Sequence, residues 1–211
     1  MNFKILSRSM LVLLVLVFAS ALTAAKTDSN KERLIAEVAR LGGTIEFDET
    51  VTSRPIVKVD LHATQVSDAD LIVFETARKD LKSLRMLDLR LTKISDKGVA
   101  RLKNLSSLQT LNLFRTQLGD KGLADLKKLT KLETLLIGGT KVTDAGLIHL
   151  NRLTKLRKLS LFQTQVSDQG IAQLKLMGSL EVLLITGSKI SSAGAAELQK
   201  ALPKVRFSEN I

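Results

Sequence analysis

A threonine returns at a fixed interval along this chain. Thr92, Thr116, Thr140 and Thr164 stand 24 residues apart, and Ser188 takes the next place. Each sits in the same phrase, L-x-x-L-x-L-x-x-T-x-[VIL]-x-D-x-G-[LVI]-x-x-L. Five turns hold it in register: Leu84–Leu105, Leu108–Leu129, Leu132–Leu153, Leu156–Met177 and Leu180–Ala201. A looser first turn, Val57–Leu71, carries Thr64 at a spacing of 28, so four extra residues lie between Leu71 and Leu84. A period of this length is not that of a globule with one central core. It requires stacked units, each burying its faces against its neighbours.

Two shorter periods run inside each unit. Leu87 and Leu89 alternate with Asp88, the mark of a strand with one buried face. Val99, Leu102 and Leu105 then recur at spacings of three, the mark of a helical or 3₁₀ segment with one buried stripe. Between them, Ser95 or Asp96 is placed to cap the segment's first amides, and an acid there complements the helix dipole. Each unit therefore reads strand, corner, helix, return. All strands run the same way and stack into a curved parallel sheet, with the wider helical segments outside. The threonine column (Thr64, Thr92, Thr116, Thr140, Thr164 and Ser188) falls where the chain leaves the strand and turns inward. Its hydroxyls are expected to bond backbone groups of their own and the neighbouring turn, a structural rather than a catalytic task.

The phrase resembles that of leucine-rich repeat proteins, and in its L-x-L-x-x-T-x-[VI]-[ST]-D-x-G-L form the cysteine-containing subclass, with Thr in the Cys slot. Thr-type repeats of this kind are a style of exported bacterial proteins. The resemblance covers Ile56 to about Ala201. The last unit departs from it, with Ser192 for Asp and Ala195 for Leu. It implies an α/β leucine-rich repeat solenoid, a right-handed βα superhelix with its sheet on the concave face and its helices on the convex face. It also implies a protein-binding role and no chemistry of its own.

The ends read differently. In residues 1–25, Lys4 and Arg8 precede the apolar run Met10–Ala19, and Ala19-Ser20-Ala21 and Thr23-Ala24-Ala25 suit signal peptidase. This is the layout of a secretory signal peptide, and its apolar core is short for a spanning helix, which needs about 20 residues. The expectation is export to the periplasm or beyond, with an uncleaved membrane anchor as the alternative. The chain has no Cys, so disulfides neither support nor oppose export. Residues 27–55 read as an N-terminal cap: Leu34, Ile35, Val38 and Leu41 form a helical stripe, Gly42-Gly43 stops it, and Thr44–Phe47 reads as a strand. Residues 56–201 hold six repeats, and residues 202–211 a C-terminal cap in which Pro203 breaks a helix and Val205–Phe207 forms a strand.

The formal charge is +11, and loss of residues 1–25 removes Lys4 and Arg8 but no acid. Much of the excess lies in the helices and returns, at Arg101, Lys103, Lys127, Lys128, Lys131, Arg152, Lys155, Arg157 and Lys175. A basic outer face is either simple solvation or an attraction to acidic glycan, anionic lipid or nucleic acid. The absence of Trp and Tyr for base stacking argues against specific nucleic-acid binding.

Strand parity assigns the concave face. With Leu87 and Leu89 inward, three columns point out. The first is Lys58, Met86, Thr110, Thr134, Lys158 and Val182. The second is Asp60, Asp88, Asn112, Leu136, Ser160 and Leu184. The third is His62, Arg90, Phe114, Gly138, Phe162 and Thr186. Phe114 and Phe162 are two strands apart, ~10 Å by sheet spacing, with Gly138 between them. Two aromatic walls over a bare floor would accept an apolar or planar group; the alternative is that both rings lie flat and cover the sheet. The candidate ligand-binding residues are therefore Arg90, Phe114, Leu136, Gly138, Phe162 and Leu184.

Asp60, His62, Asp88 and Arg90 form a charged patch, read as cross-strand ion pairing. One His with two Asp is an incomplete metal set, and His149 falls on the outer side. No G-x-S-x-G, Walker A, HExxH or catalytic Cys occurs. The expectation is a monomeric, non-enzymatic module without metal or cofactor that binds a protein or peptide on the concave sheet. The alternative is a basic envelope protein binding acidic polymers through its convex face.

Overall fold

The computed structural model describes residues 29–207, so residues 1–25 lie outside the described part. One sheet of eight strands follows chain order: β1 (Thr44–Phe47), β2 (Ile56–Asp60), β3 (Met86–Asp88), β4 (Thr110–Asn112), β5 (Thr134–Leu136), β6 (Lys158–Ser160), β7 (Val182–Leu184) and β8 (Arg206–Phe207). β1 is antiparallel to β2, and every later neighbour is parallel. The register is constant: Val59, Leu87, Leu111, Leu135 and Leu159 lie side by side, so one leucine position makes one buried row. The core is this stack of leucines, nearly all inaccessible to solvent. The architecture is the α/β solenoid that the period requires.

Helical segments connect the strands: α1 (Asn30–Arg40) before β1, α2 (Ile72–Thr76), α3 (Asp96–Val99), α4 (Asp120–Leu126), α5 (Asp144–Leu147), α6 (Ile171–Leu174) and α7 (Ser192–Ala201). α3 and α5 run on into 3₁₀ turns at Ala100–Leu102 and Ile148–Arg152, and a 3₁₀ turn at Asp168–Gly170 leads into α6. Apolar residues spaced by three suit a 3₁₀ turn without dictating it, since α4 carries Leu123 and Leu126 at the same spacing and is α-helical throughout. The four extra residues of the first turn accompany α2, whose Phe74 is buried.

α1 covers the open end of the stack with Leu34 and Val38, while Ile35 and Leu41 pack against it partly buried. Ser29 and Glu32 form a reciprocal capping box. At the other end of α1, Gly42 takes φ +82, with its N–H bonded to the Ala39 carbonyl and that of Gly43 to Val38. That left-handed stop suits glycine. At the far end of the stack α7 begins at Ser192, capped by Ser191, and buries Leu198.

Candidate functional site

The corner after each strand is a four-residue turn whose third residue is left-handed. Ala63, Leu91, Arg115, Gly139, Gln163 and Gly187 all have positive φ, one per repeat. Thr64, Thr92, Thr116, Thr140 and Thr164 follow them, and each hydroxyl donates to the carbonyl three residues back, at 2.6–2.8 Å. The threonine column therefore satisfies carbonyls of its own turn, not of the neighbour. Ser188 departs further: its oxygen accepts from Ile190 N–H at 3.3 Å instead.

The bonds between turns belong to the aspartate column, whose place at the helix start suggests no more than a local cap. The Asp120 carboxylate accepts from Thr143 N–H at 2.8 Å and from its hydroxyl at 2.7 Å. Asp68 does the same for Ser95, Asp144 for Ser167 and Asp168 for Ser191. Asp96 meets only the Gly119 N–H, at 2.6 Å. The Ser and Thr of these corners are themselves the helix caps, accepting from the amide two or three residues on. The glycine of D-x-G makes room for the bridge, since a Cβ on Gly146 would stand 2.5 Å from Asp120 Oδ1. The Ser191 hydroxyl and N–H hold the Asp168 carboxyl below the usual carboxylate range.

The concave face also differs from its parity reading. Four of the six residues in the second column are sunk rather than displayed: Asp88 is 3 % exposed, Asn112 5 %, and Ser160 and Leu184 0 %. Parity sets which face a side chain leaves from, not how deep it lies. Asp88 turns back to accept from Arg90 N–H at 3.0 Å and from Asn112 Nδ2 at 3.2 Å. Asn112 accepts from Phe114 N–H at 3.1 Å. Leu184 therefore offers no surface, and Gly138 is buried too. Leu136, Arg90, Phe114 and Phe162 remain partly exposed.

The two phenyl rings do not form a slot. Their centroids are 6.2 Å apart at an interplanar angle of 40°, well inside the ~10 Å that separates strands two apart, because both lean over Gly138. A Cβ there would meet the Phe162 carbonyl at 2.9 Å and Phe114 Cδ2 at 3.1 Å. The missing side chain is what lets the rings meet, and the result is an aromatic ridge. The Arg115 guanidinium lies 5.2 Å from the Phe114 centroid.

The charged patch pairs along its strand ends rather than across them. His62 Nδ1 lies 2.7 Å from Asp60, and Arg90 Nε lies 3.6 Å from Asp88. Burial works against Asp60's charge, but the His62 N–H and ring outweigh it and hold its carboxyl below the usual range. Among the described residues no three His, Cys, Asp or Glu side chains are arranged to hold a metal. His149 lies in the 3₁₀ turn at Ile148–Arg152, away from this patch. Two depressions lie at the edge where the chain returns to the next strand. One of 360 Å³ is lined by Glu133, Lys155, Arg157, Ser179 and Glu181, and one of 120 Å³ by residues from Leu150 to Ser179. Neither touches the phenyl rings.

A family model described as Leucine Rich repeat matches residues 81–103 and 104–127. No curated protein matches the chain in sequence. Among solved structures, an internalin (inlF) from Listeria monocytogenes is similar in fold, with a TM-score of 0.55 at 15% identity. The match covers 93% of this chain and 54% of the internalin, so this chain spans about half its length.

Proposed function

We propose, for a chain that is a leucine-rich repeat protein in its repeats, its matched segments and its fold, a non-catalytic module that binds a protein or peptide on the concave sheet. One observation carries this reading. The Phe114–Phe162 ridge stays partly exposed in the middle of that face. The acids nearby are engaged, Asp60 by His62 and Asp88 by Arg90 and Asn112, whereas Arg115 is exposed beside the ridge and Arg90, though paired with Asp88, stays partly exposed. An apolar anchor flanked by acidic residues fits that arrangement. Six repeat strands span only ~24 Å, which suits a short segment or one edge of a partner. Export through residues 1–25 belongs to the same reading and would place the encounter outside the cytoplasm.

The test is affinity capture from envelope extract at moderate salt, with wild type beside Phe114→Ala/Phe162→Ala. The expected result is a protein retained by the wild type and lost by the variant, whose melting temperature stays close to the parent's. Equal retention by both baits would remove the ridge as a binding site.

A further inference from the structure

The cations of the helical segments and returns fall into two groups. Arg101 pairs with Glu75, Arg157 with Glu181 and Lys175 with Glu197. Lys103, Lys127, Lys128, Lys131, Arg152 and Lys155 have no ion pair among the described residues. All six stand at or beyond the C-terminal end of a helical segment, where the chain returns to the next strand. Every turn runs the same way, so the returns share one edge of the solenoid. The bridging aspartates share the opposite edge.

Lys103 and Lys127, Lys128 and Arg152, and Lys131 and Lys155 are each 24 residues apart and therefore occupy the same slot on adjoining turns. Like charges set one turn apart repel each other. The fold does not require them. The same slots hold Asn151 on the turn after Lys127, Asn104 and Leu176 on the turns flanking Lys128 and Arg152, and Ser107 and Ser179 on those flanking Lys131 and Lys155. Helix dipoles do not explain them all either, because Lys131 and Lys155 lie past their helical segments, outside the last turn where such an effect acts.

Leu176 shares the slot of Lys128 and Arg152 and is 68% exposed, the most exposed large apolar side chain among the described residues. A soluble polyanion would use the cations and leave Leu176 idle. A layer of anionic lipid headgroups uses both, by attraction to the cations and by insertion of the apolar side chain. We propose that the return edge, through Lys127, Lys128, Lys131, Arg152, Lys155 and Leu176, docks on an anionic membrane surface. This surface is separate from the concave ridge and does not depend on it.

The test is flotation of the full chain with vesicles of phosphatidylcholine alone and of phosphatidylcholine with phosphatidylglycerol, at low and at physiological ionic strength. The variant Lys128→Asn/Arg152→Asn/Lys131→Ser/Lys155→Ser introduces residues that neighbouring turns already carry in those slots, and circular dichroism confirms its fold. Residues 1–25 contribute equally to every variant, so the readout is the excess partitioning onto anionic vesicles. Each cation near such a surface is worth roughly fivefold, so the variant is expected to lose about a hundredfold or more of that excess. Leu176→Asn is expected to weaken anionic-vesicle binding without changing its salt dependence, and Phe114→Ala/Phe162→Ala to leave it unchanged. The proposal is overturned if the wild type shows no anionic preference, or if the fourfold variant floats like the wild type. It is equally overturned if inorganic polyphosphate binds the return edge and anionic vesicles do not, which would assign the edge to a soluble polymer.

Discussion

At the scale of single residues, the coil is held by the paired letters of S/T-D-x-G. The aspartate of one turn takes the N–H and hydroxyl of the next turn's corner, and the glycine leaves space for its carboxylate. One rung is incomplete, because Gly119 gives Asp96 an N–H and no hydroxyl. Gly119 has an extended backbone that any residue adopts, φ −124 and ψ −169, and a Cβ there would stand 3.3 Å from Asp96 Oδ2. Gly119→Ser is expected to complete the rung and raise unfolding stability by about 1 kcal/mol, where a serine cap alone gains only a few tenths over glycine. Urea denaturation measures it. Asp96→Ala in the same background should remove most of the gain, and Gly119→Ala should not reproduce it. The letters of this bridge were visible in the sequence, yet they read as a local cap because their partner lies a whole turn away. The leucine slots were legible, since a period repeated five times fixes them. The depth of Asp88 and Asn112 was not, because backbone amides of the third column draw their side chains inward. The ring contact was missed for a similar reason: backbone spacing says nothing of how far two side chains lean over a glycine.

At the scale of elements, each helical segment is too short to be stable alone and is held by its corner and by its neighbours. α7 shows this most clearly. Its cap, Ser191, is tied to the preceding turn by Asp168, and Ser192 stands where earlier repeats have the bridging Asp. The Asp168 carboxyl is lowered in the folded chain, first by the Ser191 hydroxyl and then by its N–H. A carboxyl lowered on folding adds stability above its unfolded value, ordinarily near 4, and that contribution fades as pH falls through the lowered folded value. Asp168→Asn should therefore destabilise the chain most from about pH 5 upward, and the gap to wild type should close as pH drops below about 4. Urea midpoints collected across that range, with amide exchange in Ser192–Ala201 as a local reporter, measure it. A gap that stays constant across the range would show that the ionised form of Asp168 is not what binds Ser191.

At the scale of the whole molecule, a stack with no central core distributes its stability turn by turn. Leu135 lies in β5, with a turn on each side, and is wholly buried in the leucine row. Leu198 is equally buried, but it lies in α7, which only β8 follows among the described residues. Truncating either to alanine removes the same atoms and leaves a cavity worth about 2–5 kcal/mol if the surroundings do not collapse. The consequences differ because the neighbours differ. Breaking the row at its middle strand weakens the contact between two half-stacks, neither of which buries its newly exposed face, so Leu135→Ala should lower protection from hydrogen exchange across β2 to β7 together. Losing the Leu198 packing frees an element on which no later repeat rests among the described residues. Leu198→Ala should therefore speed exchange in α7 and β8 while the amides of Leu87 and Leu111 keep most of their protection. A Leu198→Ala protein that loses protection uniformly along the sheet would show that the turns unfold as a single unit. The stack would then be no sum of neighbouring contacts, and the concave ridge and the return edge could not respond independently to their partners.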